Sequence, residues 1–277
     1  MELVSQAILM GFSKIFLITD FGVGDWYVPA LKSSILDINA DSQIIDATHD
    51  IPSFDIITTA FYLHQLERNI NEPSIYLVVV DPGVGGQKHS RIIVENSKGN
   101  IFIGPDNGIF SMIYHNNPKV FNIDLEKLQT KLPSLDVSNT FHGRDIFGPT
   151  AALISKGVGI SEITSPADYF FQENFYEVEQ QNQTLIGKLI YIDKFGNVIS
   201  NINREIFGKS FTSKQKVICT IGKNKKIACY NTYSDVNKSE FLALFGSSGY
   251  LEIAVNQGFA AELLSFELGE KIILSTS

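Results

Sequence analysis

Short apolar runs alternate with amphipathic segments through the first third of the chain, and this alternation constrains the fold most strongly. The runs KIFLITD (14–20), QIIDATH (43–49) and IYLVVVD (75–81) have the length and β-branched content of buried strands. The segments between them, DWYVPALKSSILDI and DIITTAFYLHQLERNI, have helical periodicity. Strands that alternate with helices in this way predict a doubly wound α/β domain with a mostly parallel sheet.

Later segments extend this domain and then give way to a different pattern. RIIVEN and NIFIGP predict two further strands, and 143–157 predicts another helix. After an aromatic and polar stretch at 169–184, short apolar runs follow one another, from KLIYID to KIILST, with turns and no helices between them. Regularly spaced strands predict a small antiparallel barrel. We therefore predict an N-terminal α/β domain at 1–175 and a C-terminal β-barrel domain at 183–277.

Charge and composition argue against several classes of protein. The net charge of -8 gives no electrostatic basis for binding nucleic acid or an anionic membrane surface. No stretch approaches the roughly 20 apolar residues of a membrane span, and the first residues lack the order of a secretory signal. Two cysteines in 277 residues support neither a disulfide framework nor a zinc cluster. We expect a soluble cytoplasmic protein.

Carboxylates follow the predicted parallel strands at their ends. Asp20 ends LITD, Asp81 ends VVVD, and each precedes a glycine-containing turn, in TDFG and DPGVGG. Ligands of open α/β sheets bind outside the carboxyl ends of the strands, where such residues meet. Any one of these aspartates could instead simply cap the following turn. The pair in equivalent positions favours a site that holds a hydroxyl, a water or a cation, because a carboxylate repels phosphate.

Two later stretches concentrate polar residues at predicted turns. TFHGRDIFGP (140–149) places His142 at the start of a predicted helix, where a histidine is more often structural than catalytic. YIDKFGNVISNI (191–202) places Asp193 and Asn197 around a glycine turn, which alone is an ordinary hairpin. Neither stretch identifies a function by itself.

Taken together and in order, TDFGVGDWYV, DATHDIPSFDI, VVVDPGVGG, GPDNGIF, TFHGRDIFGP and YIDKFGNVISNI resemble the S-adenosyl-L-methionine (SAM) hydroxide adenosyltransferases, relatives of the fluorinating and chlorinating enzymes. The resemblance spans roughly residues 15–260. It implies an N-terminal α/β domain joined to a C-terminal β-barrel, assembled as a homotrimer with sites between subunits. It also implies hydrolysis of SAM to adenosine and L-methionine without a metal or an organic cofactor.

The resemblance also implies which residues act on water. Asp81 would hold or deprotonate the attacking water, and His142 matches the family's catalytic histidine in TFHGRD. The third member is normally an arginine seven residues after the aspartate, and here that position is Lys88. Arg91, three residues further on, is the alternative source of a guanidinium. Lysine keeps the charge but lacks the planar fork of arginine.

Substrate-binding residues are carried over in the same way. Asp20 would accept both ribose hydroxyls, Asp193 would pair with the methionine ammonium, and Asn197 would contact the adenine edge. Ser247 would bind the methionine carboxylate. The remaining residues would line the pocket or bind adenine through the main chain: Asp25, Trp26, Phe54, Phe141, Val255 and Gln257.

Two other functions remain open at this stage. Halide-dependent adenosyl transfer is disfavoured because Asp81 and His142 are both present, whereas the halogenating relatives lack this pair. A weakly catalytic or non-catalytic sensor of SAM or adenosine would explain the departure at Lys88. Intact Asp20, Asp193 and Asn197 would suit either a hydrolase or a sensor.

Overall fold

The computed structural model of the protein describes residues 14–86, 90–114, 117–175, 177–212, 215–222, 224–264 and 266–276. The chain divides into two compact units, Met1–Glu173 and Asn174–Ser277. None of the helices in these described ranges is both long enough and apolar enough to cross a bilayer.

The first unit is built on a seven-stranded sheet with the order β2-β1-β3-β5-β4-β6-β7. Pairings of β1 with β2 and β3, and of β3 with β5, are parallel, whereas β4 and β6 join their neighbours in antiparallel fashion. The strands are β1 (Lys14–Thr19), β2 (Gln43–Thr48), β3 (Ile75–Val79), β4 (Arg91–Glu95), β5 (Ile101–Pro105), β6 (Lys119–Ile123) and β7 (Thr164–Pro166).

Helices cover both faces of this sheet, as a doubly wound fold requires. Ile15 and Leu17 of β1 pack on one face with Leu31, while Phe16 and Ile18 face the opposite core with Leu63. This alternation follows from the two-residue period of a strand. The helices are α1 (Tyr27–Leu36), α2 (Ile56–Asn69), α3 (Leu125–Lys131) and α4 (Gly148–Ser155), with a short 3₁₀ turn at Ile160–Glu162.

The predicted α/β class is confirmed, with two differences in detail. The helix predicted at 143–157 begins with a π-helical turn, Gly143–Phe147, before α4 continues it. β6 and α3 were not predicted from the sequence, although Asp124 caps α3 by accepting a hydrogen bond from the backbone N–H of Lys127.

The second unit forms an antiparallel, barrel-like sheet, as predicted. Its strand order is β12-β11-β15-β9-β10-β14-β13, and a bridge between Cys229 and Ala243 links the two edges. Short helices interrupt the strands, contrary to the expectation of turns alone. The elements are β8 (Glu179–Gln181), β9 (Thr184–Ile192), β10 (Val198–Asn203), α5 (Arg204–Ser210), β11 (Val217–Ile221), β12 (Lys225–Ala228), a 3₁₀ turn (Tyr233–Asp235), β13 (Phe241–Phe245), β14 (Tyr250–Val255), α6 (Ala260–Leu263) and β15 (Lys271–Thr276).

Candidate active site

A cavity of about 350 Å³ opens at the carboxyl ends of the parallel strands in the first unit. Asp20 directly follows β1, Asp81 follows β3, and these strands are parallel neighbours. Their carboxylates therefore line the same cavity, together with the segment 140–143. The full lining comprises Asp20, Phe21, Tyr27, Ser53, Phe54, Val79, Asp81, Val84, Thr140, Phe141, His142, Gly143 and Phe147.

The turn after β3 fixes the Asp81 carboxylate. Its Oδ1 accepts a hydrogen bond from the backbone N–H of Gly83 at 3.0 Å, and the side-chain amide of Asn107 donates to the carbonyl of Val80 at 2.9 Å. Gly85 has φ +78°, and the carbonyl of Asn139 occupies the space that a Cβ at Gly85 would need. A glycine at this position thus lets the segment that carries His142 approach the Asp81 turn closely.

Gly85→Ala should therefore damage both the fold and the site. A side chain would be strained at this φ and would push the Asn139 carbonyl away. We expect a loss of stability of about 1–3 kcal/mol and a parallel loss of the SAM hydrolysis that the resemblance implies. Thermal unfolding and activity are measured for this variant and for a control, Gly208→Ala in α5. Nothing lies within 4 Å of the carbon added at Gly208. Unchanged stability and activity in Gly85→Ala would contradict the close approach.

His142 is buried at the start of the π-helical turn, and its surroundings favour the neutral imidazole. Burial lowers its pKa, and the positive charge of Arg91 lowers it further, while Asp81 and Asp145 oppose the shift. Asp145 is itself engaged by Arg144 and by Ser138. No described residue forms a hydrogen bond with the ring nitrogens of His142.

The depressed pKa of His142 predicts how activity depends on pH. A neutral imidazole is needed to accept a proton, and the shift keeps it neutral below its ordinary pKa of 6.5. For the SAM hydrolysis that the resemblance implies, we expect kcat/KM to fall at low pH with an apparent pKa below 6.5. Loss of activity with an apparent pKa above 6.5 would contradict this environment.

Asp20 is hydrogen-bonded to Phe54, whose backbone has an unusual conformation. Its Oδ2 accepts a hydrogen bond from the backbone N–H of Phe54 at 3.0 Å, and Phe54 has φ +69° although it is not glycine. Positive φ is rare for a bulky residue and is tolerated where surrounding contacts impose it, often at functional sites. The Phe54 ring is 64% exposed at the edge of the cavity.

A polar chain that was not predicted from the sequence begins at Thr19, the residue before Asp20, and is buried at Thr19 and His49. Thr19 bonds to His49 Nδ1 at 2.8 Å, and His49 Nε2 bonds to Asp46 at 3.1 Å. Lys32 completes the chain with a 2.6 Å ion pair to Asp46. His49 is absent from the cavity lining, so its place is structural. Its only signal in the sequence is the polar composition of DATHD.

Four aromatic rings cluster beside the cavity, and three of them, Phe21, Tyr27 and Phe141, line it. Trp26 stacks on Tyr27 at 4.6 Å between ring centroids, and Phe141 meets Trp26, Tyr27 and Phe21 edge-on at 5.4–5.8 Å. Trp26 is 57% exposed. Asp25 is also exposed, and neither it nor Trp26 belongs to the cavity lining. Tyr27 and Phe21 were missed because apolar residues near a helix start are assigned to the core by default.

A second cavity, of about 450 Å³, lies in the C-terminal unit. It contains the predicted residues Asn197, Val255 and Gln257. The rest of its lining was not predicted: Phe195, Tyr233, Asn256, Gly258 and Phe259. Phe195 and Phe259 are 72% and 52% exposed, so their faces are open to a planar ligand.

Asp193 and Asn197 are hydrogen-bonded to each other, and of the two only Asn197 lines this cavity. Asp193 accepts from the backbone N–H of Asn197 through Oδ1 and from the side-chain amide through Oδ2, both at 2.9 Å. This arrangement aligns the carboxylate and the amide with each other. Ser247 is not among the residues that line the cavity.

Of the two candidate cations, Lys88 and Arg91, the structure describes only Arg91. Lys88 lies outside the described residues. Arg91 begins β4, and its charge acts on His142, although it does not line the cavity. Its Nε is buried and has no hydrogen-bond partner among the described residues.

The fold and this cavity define an α/β protein with two carboxylates and a neutral imidazole at the carboxyl ends of its parallel strands, where ligands of this class bind. The sequence model of the SAM hydroxide adenosyltransferase N-terminal domain matches residues 15–164, and that of the C-terminal domain matches residues 187–273. The chain belongs to the SAM hydroxide adenosyltransferase family.

Individual relatives agree with this assignment. The (R)-S-adenosyl-L-methionine hydrolase of Methanocaldococcus jannaschii is 32% identical over 93% of this chain and 94% of its own. A crystal structure of a conserved protein from Thermotoga maritima superposes with a TM-score of 0.84 at 31% identity, covering 94% of this chain and 99% of that one. A fluorinase from Nocardia brasiliensis is more distant, with 22% identity over 92% of this chain and 94% of its own.

Proposed function

We propose that this protein is an enzyme that hydrolyses SAM to adenosine and L-methionine. The observation that carries the proposal is the shared cavity of Asp81 and His142, with the imidazole held neutral and Asp20 on the adjacent strand end. The name of the Methanocaldococcus jannaschii relative supports the same reaction.

The proposed reaction is a displacement by water at C5′ of the adenosyl group. The water oxygen forms a bond to C5′ as the C5′–S bond breaks, and the electron pair of that bond leaves with sulfur. Methionine departs as a neutral thioether, so no acid is needed on that side, and no cofactor is required by the chemistry. Asp81 and His142 would hold the water in line and receive its proton.

Further residues would bind the remaining parts of the substrate. Asp20 retains an oxygen for the ribose diol beside its bond to Phe54. In the C-terminal unit, Asp193 would pair with the ammonium and Asn197 with adenine, while Val255 and Gln257 would contribute main-chain groups. Ser247, Asp25, Trp26, Phe54 and Phe141 remain proposed ligands or walls of the site, and the cation remains either Lys88 or Arg91.

We also propose a homotrimer in which a neighbouring subunit completes each site. Support comes from apolar side chains that stay exposed around the first cavity, a feature common in interaction surfaces. They are Val23, Trp26, Phe54 and Val84. A cytoplasmic location is proposed because the sequence holds only two cysteines in 277 residues, which gives no basis for a disulfide framework.

The test is a product analysis with purified protein. SAM is incubated with and without chloride or fluoride, and nucleosides are separated by chromatography. We expect adenosine and methionine in equal amounts, independent of halide. A halogenated nucleoside that replaces adenosine would establish halide transfer instead. Bound but unconverted SAM would establish the sensor.

A further inference from the structure

A polar chain in the second unit continues from Asn197 into the protein. The amide nitrogen Nδ2 of Asn197 lies 2.9 Å from Asp193 Oδ2 and 3.4 Å from the hydroxyl of Tyr233. The Tyr233 hydroxyl in turn donates to Oε1 of Glu252. Asn197 and Tyr233 line the second cavity, whereas Glu252 is buried on β14 behind them.

The donor and acceptor in each of these hydrogen bonds follow from the chemistry of the Asp193 carboxylate and the Tyr233 hydroxyl. An ionised carboxylate can only accept, so the amide atom that faces Asp193 must be the NH₂ group. The Tyr233 hydroxyl donates its single hydrogen atom in the hydrogen bond to Glu252 Oε1, which leaves the phenol oxygen as an acceptor for Asn197. Burial raises the pKa of Tyr233, and the bond to Glu252 adds to the rise, so the phenol keeps its proton.

Glu252 is held in place from its other side. Its carboxylate packs against Gly246, where a Cβ would overlap Oε2. Glycine at 246 therefore provides the space that this carboxylate occupies. The fixed acceptor at Glu252 sets the Tyr233 hydroxyl, and Tyr233 with Asp193 together occupy both amide protons of Asn197.

We infer that Tyr233 and Glu252 are positioning residues that act together with Asp193 to make Asn197 present its carbonyl oxygen, and thereby select a 6-aminopurine over a 6-oxopurine. The Nδ2 group of Asn197 donates to both Asp193 and Tyr233. Its Oδ1 accepts no hydrogen bond from a described residue and can therefore accept one from a ligand. This inference rests on the proposed function, because it assumes that the second cavity receives the purine of the substrate.

The chemistry of the two purines explains the selection. Adenine carries an exocyclic NH₂ group, which can donate to Oδ1. Hypoxanthine carries a carbonyl oxygen there, so two acceptors would face each other. A site built to pair one polar group rejects the analogue that lacks it, because its own groups are left unpaired. Rotation of the Asn197 amide would relieve this, but it would break the bonds to Asp193 and Tyr233.

The experiment measures binding of adenosine and inosine by calorimetry. Wild type is compared with Tyr233→Phe, and Tyr230→Phe is the matched control, because Tyr230 and Tyr233 are both 40% exposed but only Tyr233 joins the chain. We expect wild type and Tyr230→Phe to prefer adenosine by about 10-fold or more. Tyr233→Phe should weaken the preference by about 2–10-fold, mainly through tighter inosine binding, because one of the two hydrogen bonds that resist rotation of the Asn197 amide is lost while the bond to Asp193 remains.

Because Tyr233→Phe leaves Glu252 without its hydrogen bond and could destabilise the fold, a second variant is also measured. Glu252→Gln keeps the shape of the side chain but no longer imposes the direction of the Tyr233 hydroxyl, so an intermediate preference is expected. Circular dichroism verifies that each variant is folded.

The outcomes separate the inference from the proposed reaction. A wild-type preference in both folded variants would overturn the inference. So would a wild type that binds adenosine and inosine equally or binds neither. A weaker preference in Tyr233→Phe than in Tyr230→Phe supports the inference even if wild type fails to hydrolyse SAM, a result that would overturn only the proposed reaction.

Discussion

Asp81→Asn is expected to lower kcat for SAM hydrolysis by about 10²–10⁴-fold, the range that a positioned general base contributes. The substitution keeps the shape of the side chain and the hydrogen bond from Gly83. It removes the negative charge that attracts a proton of the attacking water. Adenosine binding should change little, because the adenine and ribose contacts are proposed for other residues.

Asp50→Asn is the control for this variant. Asp50 also follows a strand of the same sheet, but it is exposed and lies outside the cavity lining. It should retain wild-type activity. An Asp81→Asn enzyme with wild-type kcat would remove Asp81 from the mechanism, and equal losses in both variants would point to a general effect of charge.

His142→Gln is expected to produce the second large loss, about 10²-fold in kcat. Glutamine fills a similar space and can form hydrogen bonds, but it cannot accept a proton. If both residues act on one water, the double variant Asp81→Asn/His142→Gln should be little slower than the slower single variant. The comparison uses single-turnover kinetics, so that adenosine release does not mask the chemical step.

Other results would point to other mechanisms. Losses that multiply in the double variant would mean that the two residues act in separate steps. Full activity of His142→Gln, together with an unaltered pH profile, would show that the imidazole only packs. The depressed pKa of His142 would then be a consequence of burial beside Arg91 rather than a catalytic adaptation.

Local patterns in the sequence were sufficient for the main elements of the fold. β1 and β3 are buried on both faces, so their residues form continuous apolar runs, and Asp20 and Asp81 mark the points where these runs end. The parallel pairing of β1 with β3 then brings the two carboxylates to one cavity. By contrast, β6 is only partly buried and lacks such a run, which explains why it was not predicted.

The partners of the site residues depend on contacts that no local pattern encodes. Tyr233 meets Glu252 across 19 positions of sequence, and Thr19 meets His49 across 30. A tyrosine in a polar loop and a glutamate in a strand carry no sign of their bond. Likewise, the closeness of Asn139 to Gly85 follows from how two loops pack, although the glycine-rich turn itself was visible.

The most direct test of the proposed reaction follows the oxygen atom. SAM is incubated with the enzyme in ¹⁸O-labelled water, and the nucleoside is examined by mass spectrometry, with Asp81→Asn as the control. The proposed mechanism predicts adenosine with one ¹⁸O at the 5′ position and almost no product from the variant. Unlabelled adenosine, or a nucleoside that lacks the 5′ oxygen, would contradict attack of water at C5′.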